Sequence, residues 1–125
     1  MTQHYVSTKI VQGWHQDRQD IPGYAVKYED GYTSWSPAPQ FEAASVALGQ
    51  IGHLPPHEQR VIAEFAQLAD RLHKLNAFML TPLYASLPED DQRLLRMQAD
   101  AMALLAKILN MRVDKFVDRF GSAAQ

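Results

Sequence analysis

The sequence predicts an α+β protein: an N-terminal antiparallel β-meander with a short helix, followed by a long antiparallel αα-hairpin. Three observations predict it. Residues up to Trp35 are rich in strand-favouring Val, Ile, Thr, Tyr and Trp and cross Pro22-Gly23 and Asp30-Gly31 turn signals. "GQIGHLPP", residues 49–56, breaks the chain with Gly and Pro. Beyond it the apolar residues recur at spacings of three and four, the period of a helix buried along one stripe.

"YVSTKIVQGW", residues 5–14, reads as the first strand and "HQDRQDIPG" as a polar loop. "YAVKYE" alternates, Tyr24, Val26 and Tyr28 on one face and Ala25, Lys27 and Glu29 on the other. Asp30-Gly31 is the pair a two-residue type I′ hairpin turn prefers, and "YTSW" returns as the third strand. Ser36-Pro37 then suits a helix start, Ser capping and Pro in the first turn, for a helix of ~10 residues carrying Phe41, Ala44, Ser45 and Leu48 on one face. Domain limits of 1–52 and 57–120 follow, with residues 49–56 as linker.

In the second part Val61, Phe65, Leu68, Leu72, Leu75 and Met79 form a heptad-like seam that stops at Thr81-Pro82. A second helix runs from Pro88 to about residue 119, with Glu89, Asp90 and Asp91 on the positive end of its dipole. Its seam reads Leu95, Gln98, Met102, Leu105, Leu109, Arg112 and Phe116. The short connector makes the helices antiparallel neighbours. Ile62, Ala69, Leu94, Ala101, Leu104, Ile108 and Met111 lie outside these seams. Two helices cannot bury them all, so a homo-oligomer is expected.

Composition limits the function. A formal charge of −2 argues against a broad basic surface for DNA or RNA, and without cysteine there are no disulfides, thiolate metal sites or cysteine nucleophiles. No stretch is apolar enough to cross a membrane, and the N-terminus lacks a signal-peptide core, so a cytosolic protein is expected. Nucleotide-binding and hydrolase motifs are missing, and His53 and His57 do not share a helical face, so neither enzyme nor metal nor cofactor is expected.

The informative pair is Arg60 and Arg112. With the helices paired so that position p faces roughly 168 minus p, Arg60 lies opposite Ile108 and only ~6 Å along the axis from the level of Arg112. Guanidinium forks match phosphate oxygens, and an aromatic such as Trp35 or Tyr32 beside them would wall a nucleotide pocket. The competing reading pairs these arginines with Glu58, Glu64 or Asp114. At the closed end Phe78, Thr81 and Tyr84 form a mixed aromatic and hydroxyl patch, joined by Arg93, Arg96 and Gln98. Core aromatics with solvated arginines account for it more simply, because exposed helix arginines are common.

Residues 57–113 resemble the helical-hairpin domain shared by phage anti-CBASS and anti-Thoeris sponge proteins. The residues that carry this are "QRV" opening the first helix, "L..LNAF" closing it, "TPLYASLP" across the turn and "M...A.IL..R" near the end. "GYAVKYEDGYTSWSPAPQFEAA" resembles the N-terminal β-unit of the first type of Thoeris anti-defence protein. The resemblance implies a non-enzymatic phage sponge, acting in the host bacterial cytosol as a homohexamer. It would hold glycocyclic ADP-ribose of Thoeris, and in some members cyclic di- or trinucleotides of CBASS, intact. It implies a ligand grip by Arg60 and Arg112, an aromatic contact at Tyr84 and a polar one at Gln92 or Gln98. Where sister hairpins carry Tyr or Lys in the first helix this chain has Phe65 and Ala66, which weakens the cyclic dinucleotide expectation. The alternative function is a helical adaptor that zips onto a partner helix.

Overall fold

The computed structural model describes the backbone of residues 2–123 and the side chains of residues 2–116. Seven elements follow in order: β1 (Gln12–His15), β2 (Gly23–Lys27), β3 (Thr33–Pro37), α1 (Ala38–Ala44), α2 (Pro56–Phe78), α3 (Pro82–Ala85) and α4 (Glu89–Ala123). They form the α+β arrangement of a meander and short helix, then a helical hairpin. The chain divides into two compact units after Ser45.

In the first unit β2 is central, antiparallel to both neighbours. Trp14 and Trp35 both pair with Ala25. Ala25 and Val26 are buried, so both faces of β2 are covered although only alternate residues were expected to be. Tyr24 stacks between His15 and Phe41, with ring centroids 4.5 Å apart on each side. That contact fixes α1 over the sheet.

Four sequence expectations change here. The first strand is four residues long, because β2 offers partners only as far as Lys27, and Tyr5 and Val6 stay exposed. The type I′ turn lies at Gln19–Asp20, whose φ values of 52° and 64° close a two-residue hairpin between Arg18 and Ile21. At Asp30-Gly31 only Gly31 is left-handed, φ 92°, so the loop has three residues: a Tyr28 to Gly31 turn inside a Tyr28–Tyr32 pair. The Asp30 carboxylate accepts from the Tyr32 amide at 3.0 Å and favours this longer loop. Finally, Ser36 and Pro37 finish β3, and α1 is a seven-residue helix with Pro37 as its uncapped boundary.

In the second unit Leu54 is buried, and its carbonyl accepts from the Gln59 side chain at 2.9 Å. Pro55 and Pro56 set the start of α2, where a missing amide costs nothing. The 23-residue α2 and 35-residue α4 then pack along a core of Val61, Leu68 and Leu109, flanked by Phe65, Met102, Ala106, Val113 and Phe116. The α2 seam follows the expected phase. On α4 the inward residues are Leu95, Ala99, Met102, Ala106, Leu109, Val113 and Phe116, an unbroken three-four alternation. Gln98, Leu105 and Arg112 are therefore exposed, not seam members. The small Ala99 and Ala106 hold the true seam, whereas a search for bulky residues drifts onto Leu105. Among the described residues no helix is long and apolar enough to cross a membrane.

Candidate functional site: two arginines on one face of the hairpin

Arg60 stands one residue before Val61 on α2, and Arg112 one residue before Val113 on α4. Val61 belongs to the core cluster and Val113 packs against it, and antiparallel pairing brings the start of α2 beside the later part of α4, so both arginines border the same part of the hairpin. Helix phase decides which side. One face carries an open groove of about 520 Å³, bordered by Phe65, His73 and Asn76 of α2 and Ala103, Lys107 and Asn110 of α4. Arg60 is turned about 100° from Val61 and Arg112 about 60° from Leu109, both away from the groove. The two guanidiniums thus share the opposite face.

Both are exposed, and among the described residues neither forms an ion pair or side-chain hydrogen bond. The pairing with Glu64 or Asp114 considered above is not made. Glu58 is buried at 3% exposure, with His57 Nε2 3.8 Å away. Two cations with free donors on one helical layer can take an anion in a forked grip, at the entropic cost of ordering two long side chains.

At the other end of the hairpin the closed-end residues hold one another. Thr81 caps α3, accepting from the Tyr84 amide at 3.3 Å and donating to Phe78 O at 2.6 Å, while the Phe78 and Tyr84 rings meet edge-on. The Tyr84 hydroxyl donates to Gln92 O at 3.2 Å and accepts from Arg96 at 3.1 Å. Arg96 also reaches Glu89 at 3.4 Å. The hydrogen bond to Tyr84, and then Glu89, holds its pKa above the ordinary value. Gln92 Nε2 donates to the carbonyls of Ala85 and Leu87 at 3.1 and 2.8 Å. These are the bonds that fold the connector back on α4. Gln92→Ala should therefore lower stability by about 1 kcal/mol in urea unfolding, chiefly through the lost part-buried bond to the Leu87 carbonyl.

The predicted site residues consequently fall into separate places. Arg60 and Arg112 share a face, Phe65 borders the groove on the other, and Phe78, Thr81, Tyr84, Gln92 and Arg96 form the connector. Gln98 is exposed and donates to Met102 Sδ at 3.7 Å. Trp35 lies in the first unit, its Nε1 donating to Gln16 O at 2.6 Å and its ring covered by Arg18 at 5.0 Å. The groove itself was missed in the sequence. Its signal is the set of small residues, Ala69 facing Ala103 and Ala106, which leaves space where a seam has none.

Among curated proteins and solved structures nothing matches this chain. The hairpin, over residues 55–115, which include both arginines and the connector, matches the model of the family described as Sequestin, a name that denotes a sequestering protein.

Proposed function

We propose that the protein is a sponge: it binds an anionic cyclic nucleotide signal and holds it without cleaving it. The observation that carries this reading is the pair of unengaged arginines on one layer of a hairpin similar to the Sequestins. The resemblance noted above supplies the ligand class, glycocyclic ADP-ribose of Thoeris and secondarily CBASS cyclic oligonucleotides, and the setting, phage anti-defence in a bacterial cytosol. Homo-oligomeric assembly is part of the proposal, because a ligand gripped from a flat helical face needs a second wall.

The test incubates the protein with glycocyclic ADP-ribose, removes free ligand by filtration and heats the retained protein. Intact ligand released only on heating is the expected result. Degraded ligand would make the protein an enzyme, and absence of retention would remove the proposal. Arg60→Ala and Arg112→Ala should each weaken retention by about 2 kcal/mol, roughly thirtyfold, if each contributes a charge-assisted contact. The exposed apolar residues of α4 favour a second reading, a helical adaptor. Its mass in solution, without any partner present, separates it from a closed assembly.

A further inference from the structure

Besides its inward seam, α4 carries a second, outward stripe: Leu94, Met97, Ala101, Leu104, Ile108 and Met111, again alternating three and four. Its five larger members are 47–61% exposed. At about 100° per residue the stripe is centred roughly 140° from the inward seam, so α2 does not reach it. A helix with apolar stripes on two sides is built for two neighbours.

The charges beside the stripe say what the second neighbour is. Written as heptads with Leu94, Ala101 and Ile108 at a and Met97, Leu104 and Met111 at d, the g positions are Arg93, Asp100, Lys107 and Asp114. They alternate in sign. Laid antiparallel on a second α4, with Leu94 opposite the partner's Met111 and Ala101 opposite its Leu104, these positions pair Arg93 with Asp114 and Asp100 with Lys107, each twice by symmetry. The same register sets Asp91 against Arg112 at e, a weak solvent-exposed pair that can give way to an anionic ligand, and, just beyond the stripe, Asp90 against Lys115. Every charged pair is of opposite sign. A parallel, in-register pair would instead face Asp90 with Asp90, Lys115 with Lys115 and Lys107 with Arg112.

We infer that α4 forms an antiparallel, two-fold seam with α4 of a second copy of this chain. The apolar stripe supplies the association, since exposed ion pairs contribute little individually. The charges choose the orientation. Ala101 beside the two-fold axis lets the helices approach closely where the partner's Leu104 enters.

The interface is tested by sedimentation equilibrium of the full chain. The wild type should contain two copies or an even multiple. Asp100→Lys turns two attractive pairs repulsive and should weaken association roughly tenfold or more, and Asp100→Lys combined with Lys107→Asp should restore it. The chain has no cysteine, so Arg93→Cys gives a single spin-label site. Antiparallel helices put the two labels about 30 Å apart and parallel ones about 10 Å. A monomer at every concentration, failure of the double reversal to restore association, or a short label distance would each overturn the inference. The mass and label distance need no nucleotide, so a failed interface and a failed ligand are read separately.

Discussion

Leu109→Ala should cost about 3 kcal/mol in urea unfolding followed by helical circular dichroism, while Leu105→Ala, four residues earlier on the same helix, should cost less than about 1 kcal/mol. Leu109 is 3% exposed and shares a cluster with Val61 and Leu68, so truncation leaves a cavity that two rigid helices fill only partly. Leu105 is 43% exposed and gives up little burial. Measured at low protein concentration, the contrast reports the phase of α4. Equal losses at both positions would return Leu105 to the seam and put the placement of Arg112 in error, since the two lie one heptad apart.

Gly23→Ala should loosen the first unit by about 1–3 kcal/mol and leave the hairpin intact. Gly23 is buried at the start of β2, where an added Cβ would run into the Trp35 indole ring and lie 2.7 Å from Ser36 O. The ring has no easy retreat, being hydrogen bonded at Nε1 and covered by Arg18. Moving Ser36 O means moving β3, one of three short strands in a small sheet. Near-ultraviolet dichroism of the tryptophans should collapse at lower denaturant while the helical signal keeps its midpoint. Gly52→Ala, with nothing within 4 Å of the new Cβ, is the control and should be silent. An unchanged tryptophan signal in Gly23→Ala would mean that β2 and β3 are not packed as described.

Element type and order were legible in the sequence because they rest on period: alternation around Ala25 and Val26, and three-four spacing from Val61 on. Ends and turns were less so. Strand β1 is cut by what β2 can pair with, a property of another segment. The hairpin turn migrated because Gln19 and Asp20 accept left-handed backbone that composition assigns to Gly, and the Asp30 side chain bonds its own loop. Site legibility followed the same division. Bringing Arg60 and Arg112 to one layer needs only antiparallel pairing, which the short connector gives. Their exposure does not follow from it, because the sequence shows two interleaved apolar heptads on α4 and nothing in a single helix says which one faces α2. The connector residues illustrate the converse: Tyr84 and Gln92 carry side-chain bonds that fix the turn, and such bonds depend on a backbone path that residue type does not reveal.

Two of the outward residues of α4 are thioethers, Met97 and Met111, both 58% exposed in a chain without thiols. In a chain not associated through that stripe, peroxide would meet them before any buried group, and a sulfoxide turns a flexible apolar side chain into a polar, chiral one. Each sits near an end of the stripe, so a single oxidant could make both ends of that surface hydrophilic while Ala101, Leu104 and Ile108 between them stay unaltered. The outer side of α4 is thereby more open to oxidation than its inner side, where Met102 is half-buried among Ala99, Ala106 and Leu109.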